Sequence, residues 1–368
     1  MNIETIERPE EFFALRDSWN ALLKSSASDC VFLTHEWLSL WWKHLAEGRR
    51  LSIVVARDDG RLAAILPLAE RPAQYARMMP RVLEFIGSGV IGSDYLDAFI
   101  VPGREKEVSQ AFGRYFKNRG LMLQFSQLRM GSCAVSGLAE ALSSNGWTIA
   151  QTKLNVCPHI NLANLTWESF LQQLGPNIRK NVNRYLRIIP KSFEMRVECA
   201  KSPDEGSAAL EHLMELHRRR WATSGASEAF QTPAVVEFHR EFVRLAAERG
   251  WLRILLLWLN GRAAAALYAL RYGPTFYFYQ SGFDPEFSKH SVGVATMGLS
   301  IQTAITEGAL EYDFLHGDEE YKFHWASATR DLGRMELYPS NAGARIYRQA
   351  IQFNRAARRV ARRVLSKN

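Results

Sequence analysis

The sequence predicts an α+β protein built by tandem duplication: two domains of one fold, each a mixed central sheet flanked by helices, and then a basic helical tail. Two observations predict it. Leu51–Leu68 (LSIVVARDDGRLAAILPL) and Leu252–Ala269 (LRILLLWLNGRAAAALYA) agree at Leu51/Leu252, Ile53/Ile254, Gly60/Gly261, Arg61/Arg262, Ala63/Ala264, Ala64/Ala265 and Leu66/Leu267. With the elements downstream of each segment included, both halves also share one order, β-β-β-α-β.

Each repeat starts as an apolar run, an Asp-Gly or Asn-Gly pair and a second apolar run. That pattern predicts a hairpin closed by a type I′ turn, whose central residues need positive φ. In the first half, strands come next at Val82–Ile86 and Ala98–Val101, then a helix at Glu105–Asn118 and a strand at Leu121–Phe125. In the second half the equivalents are Thr275–Tyr279, Val292–Thr306 and Glu311–Leu315. Gly120 and Gly308 stand between helix and strand, where a left-handed cap is expected. Helices at Pro9–Leu23 and Glu36–Leu45 precede the first unit; Trp167–Ile188 and Pro203–Thr223 precede the second. The break is expected near Asn155–Asn164, giving domains 1–157 and 158–340 and a tail 341–368.

The net charge of +8 has an address. From Leu337 onward there are eight basic residues and no acidic one, and the other 38 Lys and Arg balance 38 Asp and Glu. A neutral body argues against a nucleic-acid groove spread over the fold. In the tail Ile346, Ala350, Phe353, Ala357, Val360 and Val364 recur every three or four residues, with arginines on the other faces. This basic amphipathic helix either docks on the second domain or is drawn to an anionic membrane surface. The longest apolar runs, Ile254–Leu259 and Ala263–Leu270, are too short for the ~20 residues of a membrane span. Glu4, Glu7, Glu10 and Glu11 crowd the region where a secretory leader would be basic and then apolar. Cys30, Cys133, Cys157 and Cys199 form no CxxC pair. The expectation is a cytoplasmic protein, with peripheral contact to the inner face of the membrane as a further option.

Candidate chemistry gathers in the second half. In FYFYQSGFDPEFSKHSVGVATM an aromatic strand runs through a turn into a helix opened by Ser291 and Gly293. Unpaired N–H groups at a helix start suit a phosphate, although Ser is also a common structural cap. Asp313 lies within an apolar strand and needs either a basic partner or an acid/base task. Lys322 sits among Tyr321, Phe323 and Trp325, either held to neutralise developing negative charge or lying on the surface with its stem over the aromatics. Arg179, Asn183 and Arg187 share one helix face beside Lys180 and Arg184, a solvated face or an anion-binding one. Arg220 and Trp221 in LHRRRWATSG are a ligand clamp or a helix end. No HExxH or HxH spacing, GxSxG elbow, Walker loop or GxGxxG is present, so no metal and no permanently bound cofactor is expected.

FLTHEWLSLWWKH, SDYLDAF, LHRRRWATSG, YQSGFDPEFSKHSVG and, most specifically, YDFLHGDEEYKFHW together resemble the FemAB-type tandem of GNAT (acetyltransferase) folds. Within it the chain is similar to the BioF2-like and CelD-like branch, whose members include proteins of cellulose or exopolysaccharide synthesis. The resemblance implies an N-acyltransferase that moves an acyl group from acyl-CoA, as co-substrate, to a small-molecule, sugar or lipid-linked amine. A Fem-like aminoacyl-tRNA donor, or a non-catalytic protein of polysaccharide assembly, is the alternative. Under the resemblance Asp313, Tyr321 and Lys322 are the catalytic candidates, Lys322 matching a lysine that stabilises the charged transition state. The donor would lie along Tyr279, Ser281, Lys289, Ser291, Val292 and Gly293. The donor loop pattern (R/Q-x-x-G-x-G/A) falls on Ser288, Ser291 and Gly293, of which Gly293 alone keeps it. The acceptor would meet Asp94, Tyr95 and Asp97 in the first domain and Arg179, Arg184, Arg220 and Trp221 in the second.

Overall fold

Both expected hairpins form in the computed structural model, which describes residues 1–72, 81–222 and 229–350. Ile53–Asp58 pairs antiparallel with Arg61–Leu66, and Leu252–Leu259 with Arg262–Tyr272. The turn residues Asp59 and Gly60 have φ of 47° and 80°, and Asn260 and Gly261 have 50° and 75°. Both central residues are left-handed, as a type I′ turn requires.

The chain folds as two compact units. One holds Met1–Gly89, Tyr95–Leu154 and the chain from Gly333; the other holds Val90–Asp94 and Asn155–Leu332. The five residues Val90–Asp94, from the middle of the first repeat, are therefore part of the second unit. The expected boundary at 157/158 falls inside the long strand Thr148–Asn161.

The second unit carries the candidate site. Its strands and helices in chain order are β1 (Thr148–Asn161, from Asn155 on), α1 (Trp167–Gln173), α2 (Pro176–Ser192), β2 (Met195–Ala200), α3 (Pro203–Ala222), α4 (Pro233–Glu248), β3 (Leu252–Leu259), β4 (Arg262–Tyr272), β5 (Thr275–Phe283), α5 (Val292–Thr306), β6 (Glu311–Asp313) and α6 (Glu320–Phe323). The helix expected over Trp167–Ile188 is two helices. Leu174 is extended ahead of Gly175 and Pro176, and proline at the first position of α2 starts a new helix.

The strand order is β2-β3-β4-β5-β6-β1, with β5 and β6 parallel and the other neighbours antiparallel. Alternation sends Leu255 and Leu267 to one face, into a core with Val182 of α2 and Met297 and Ile301 of α5. Tyr268 faces the other way, its ring against His239 of α4. A bulge breaks the β4–β5 ladder: Tyr268 pairs with Gln280 and Ala269 with Phe278, so Tyr279 is the extra residue. β5 pairs with β6 only at Thr275–Tyr277. From Phe278 to Phe283 its second edge has no strand partner among the described residues, because the strand expected over Glu311–Leu315 ends at Asp313. Leu315 is left-handed, at φ 56°, and turns the chain away.

The other unit has a four-stranded sheet of Asn2–Ile6, Ile53–Asp58, Arg61–Leu66 and Phe99–Ile100, and a second set of Met122–Arg129, Val82–Phe85, Leu68–Glu70 and Arg50–Leu51 in that spatial order. Helices Arg16–Ser25, His35–Leu45 and Glu105–Phe116 bury Trp19, Trp37, Trp41, Phe112 and Phe116. Gly120 and Gly308 adopt φ of 64° and 69°, the left-handed caps that their places between helix and strand require. Of the expected tail, residues 342–350 are helical and residues 351–368 lie outside the described residues.

Candidate active site

A cavity of about 240 Å³ opens where β5 loses its partner. Ser281, Gly282 and Phe283 of β5 form one wall, Gly293, Val294 and Met297 of α5 another. Tyr321, His324 and Trp325 close it from the α6 side, and Ile178 and Arg220 stand at its rim. The lining is largely apolar with few polar groups, the character of a small-molecule site. Two glycines shape it. A methyl on Gly282 would stand 2.5 Å from the backbone N of His217, because α3 crosses β5 there. Gly293 leaves open the first turn of α5, with only the Phe283 ring 3.8 Å away.

That helix start is unusual. Ser291, at φ 47°, gives α5 no side-chain cap. The amides of Val294 and Ala295 return to the Ser291 carbonyl, whereas those of Val292 and Gly293 have no acceptor among the described residues. Unpaired N–H groups at the positive end of a helix favour an anion.

The turn after β6 holds the charged groups. Lys322 is buried, and its Nζ donates to the carbonyl of His316 at 2.7 Å and pairs with Glu319 at 2.9 Å. An ammonium has three N–H groups, so one remains. Gly317, at φ 137°, lies so close that a methyl there would be 2.5 Å from Lys322 Nζ. Asp94, fully buried, accepts the backbone N–H of His316 at 2.7 Å and lies 2.8 Å from its Nδ1. The bulged Tyr279 donates its hydroxyl to the carbonyl of Ile91 and lies 3.3 Å from His239 Nε2. Burial, helped by Asp94, pushes the Tyr279 hydroxyl well above the usual phenol range. Burial alone pushes His239 down to about 3; burial and then Arg220 push His217 down to about 4. Both histidines are neutral at physiological pH.

The expected site residues separate into groups. Ser281, Gly293, Arg220 and Tyr321 line the cavity, with Arg220 also stacked over Phe283 at 5.0 Å. Burial and Glu319 hold the Tyr321 hydroxyl protonated. Tyr279 faces Ile91 rather than the cavity. Val292 is a core residue packed with Ile189 and Leu257, and Lys289 is exposed on the turn before α5. Lys289 and the Val292 side chain do not line the cavity, while the Val292 backbone N–H stays at the open start of α5. Arg184 is exposed on α2 and Arg179 half-buried, while Val182 and Ile189 on the opposite side are buried. Tyr95 and Asp97 belong to the other unit. There Asp97 accepts the backbone N–H groups of Ala98, Ala134 and Val135 and so anchors a helix start. The side chain of Trp221 lies outside the described residues.

Asp313 is not among the residues that line the cavity. Its Oδ1 accepts the amide of Leu315 at 2.8 Å and its Oδ2 receives Arg330 at 2.9 Å, and it is completely buried. Both oxygens are engaged within the protein, which makes the carboxylate a strut beneath the left-handed Leu315. His316 is not among the residues that the sequence singles out. Its partner Asp94 is distant in the chain, and only the fold joins them.

Residues 176–323 match the family described as an acetyltransferase (GNAT) domain. Among solved structures, the crystal structure of FemX aligns at a TM-score of 0.64 with 12% identity, covering 91% of this chain and 97% of that one. L-PGS from Bacillus licheniformis aligns at 0.54 with 12% identity, over 93% of this chain and 95% of that one. A tandem GNAT protein from the clavulanic acid biosynthesis pathway aligns at 0.50 with 12% identity, over 92% and 100%. No curated protein matches the chain. The duplicated GNAT fold that the sequence predicts is the fold observed, and the match to the acetyltransferase (GNAT) family lies in its second half.

Proposed function

We propose that the protein is an N-acyltransferase that takes an acyl group from acyl-CoA and places it on an amine. The observation that carries the reading is the 240 Å³ cavity between the unpartnered edge of β5 and the uncapped start of α5. A thioester arm fits apolar walls, a pyrophosphate suits the free amides of Val292 and Gly293, and Arg220 adds positive charge at the rim. The remaining N–H of Lys322 supplies a donor for the oxyanion that forms when the amine attacks the carbonyl. Asp94 holds the acceptor side of the site through His316. Resemblance to the CelD-like branch suggests an acceptor of exopolysaccharide or envelope synthesis. The basic tail would bring the protein to an anionic membrane.

Thermal shift against acetyl-CoA, longer acyl-CoAs and free CoA tests the donor. Binding at a hundred times Kd stabilises by about 2.7 kcal/mol, which for a domain of this size raises Tm by roughly 5–11 °C. The gain should fall in Arg220→Ala. No shift with any of them would overturn the acyl-CoA reading. A second reading, an aminoacyl-tRNA donor, is favoured by the basic face of α2, where Lys180, Arg184 and Arg187 are exposed. It predicts binding to charged tRNA that weakens steeply with salt.

A further inference from the structure

An amine is an ammonium at neutral pH and must lose protons to become an amide, so a transferase of this kind needs a proton acceptor. The next step rests on the N-acyltransferase reading. His316 is held twice by one buried carboxylate: its backbone N–H donates to Asp94 Oδ2 at 2.7 Å, and its Nδ1 lies 2.8 Å and 3.0 Å from the two oxygens. A carboxylate only accepts, so the Nδ1 that faces it carries the proton and Nε2 keeps the basic lone pair. Nε2 has no partner among the described residues, and the side chain is 35% exposed while that of Asp94 is 0%. Solvent and ligand can therefore reach the ring but not the group that orients it.

The pair is linked to β5 at Tyr279, two residues ahead of Ser281, which lines the cavity. Val90–Asp94 belongs to the same unit as the cavity. The carbonyl of Ile91 receives the hydroxyl of Tyr279, the bulged residue where β5 parts from β6. A methyl on Gly92 would be 3.8 Å from both that hydroxyl and His316 Cε1. On the other side, the His316 carbonyl holds the Lys322 ammonium. The charged and titratable groups around the ring are Asp94, Lys322 and Glu319, with Tyr279 across Gly92 and the Cys157 thiol 3.9 Å from Asp94. Attraction to Asp94 is the largest influence and strengthens the ring's hold on a proton; burial and Lys322 oppose it.

We infer that the Asp94–His316 pair is the proton acceptor for the attacking amine. The ammonium gives one proton to His316 Nε2, and the imidazolium, stabilised by Asp94, returns it to solvent. The neutral amine nitrogen then bonds to the thioester carbon, the C–S bond breaks, and the second N–H proton passes to the departing CoA thiolate, which leaves as the thiol.

The test uses the full chain, acetyl-CoA and two probe amines: ethanolamine, an ammonium at pH 7, and hydroxylamine, already neutral there. His316→Gln should keep its acetyl-CoA thermal shift and lose about 100-fold or more in turnover with ethanolamine at pH 7. It should lose much less with hydroxylamine. In Asp94→Asn the acidic limb of the kcat/KM profile should move to lower pH, and the His316 Cε1–H NMR titration should move with it. Equal turnover of wild type and His316→Gln with both amines, at every pH, would overturn the inference and leave the transferase intact. Absence of product from the wild type with either amine would remove the transferase reading and the inference together.

Discussion

Replacing Asp313 by alanine separates a structural carboxylate from a chemical one. The substitution takes one of two carboxylates from Arg330, whose side chain is only 14% exposed, and leaves it paired with Glu311. It also removes the acceptor for the amide of Leu315, a left-handed residue that L side chains adopt at a penalty of about 1 kcal/mol. Breaking a buried ion pair by deleting one partner costs about 3–5 kcal/mol, and the surviving Glu311 contact puts this case at the lower end, about 3 kcal/mol. At roughly 2–4 °C per kcal/mol for a domain of this size, Tm should fall by about 6–12 °C. Thermal and urea melts of Asp313→Ala, Arg330→Ala and the double variant check the argument, since the double should cost less than the two singles added. Turnover should fall too, because the turn that Asp313 braces presents His316. An unchanged melting curve together with lost turnover would refute the strut and restore Asp313 to the chemistry.

Three further outcomes are expected. Gly282→Ala should cost about 1–3 kcal/mol and weaken acetyl-CoA binding, because the new methyl meets the backbone of α3 rather than a side chain that can move; calorimetry and thermal melts would show both. Asp94→Asn should destabilise more at pH 5.5 than at pH 8.5. His316 has its pKa raised in the fold, so its pairing stabilises fully below the unfolded value of about 6.5 and is lost as pH rises through the folded value; denaturant melts at the two pH values read the difference. Deleting residues 345–368 should abolish sedimentation with anionic vesicles if the tail contributes about 1 kcal/mol per basic residue near the surface; equal binding to neutral vesicles would discard the electrostatic account.

Legibility in the sequence tracks the range of each interaction. The hairpins, the left-handed caps at Gly120 and Gly308 and helix α5 depend on neighbours a few residues apart, and their signals are local. The cavity is partly readable for the same reason: Ser281 and Gly293 sit close in sequence on a strand–turn–helix. Lys322 is readable only as one of two alternatives, and burial selects the held lysine over the surface one. Asp313 draws attention because a carboxylate in an apolar strand is costly unless paired, but nothing local names Arg330, which joins it only through the fold. The Asp94–His316 pair is wholly hidden. SDYLDAF points to Asp94 as an acceptor-side group, and only the transfer of Val90–Asp94 into the second unit shows what it orients.

Three histidines near the free edge of β5 are therefore not equivalent. His217 and His239 are desolvated, fall to about 4 and about 3, and stay neutral across the physiological range. They serve as packing and hydrogen-bonding groups against Phe230, Tyr268 and Tyr279. His316 combines a buried anion with an exposed edge, and attraction to Asp94 strengthens its hold on a proton where burial weakens that of the other two. The consequence is an opposition between stability and turnover. Protonating His316 strengthens its attraction to Asp94 and tightens the turn, but it removes the lone pair that the amine requires. Turnover should rise with pH through the same titration in which the pair's contribution to stability declines, and both should lose that dependence together when Asp94 is neutralised. A structural ion pair unconnected with the chemistry would couple pH to stability but not to turnover.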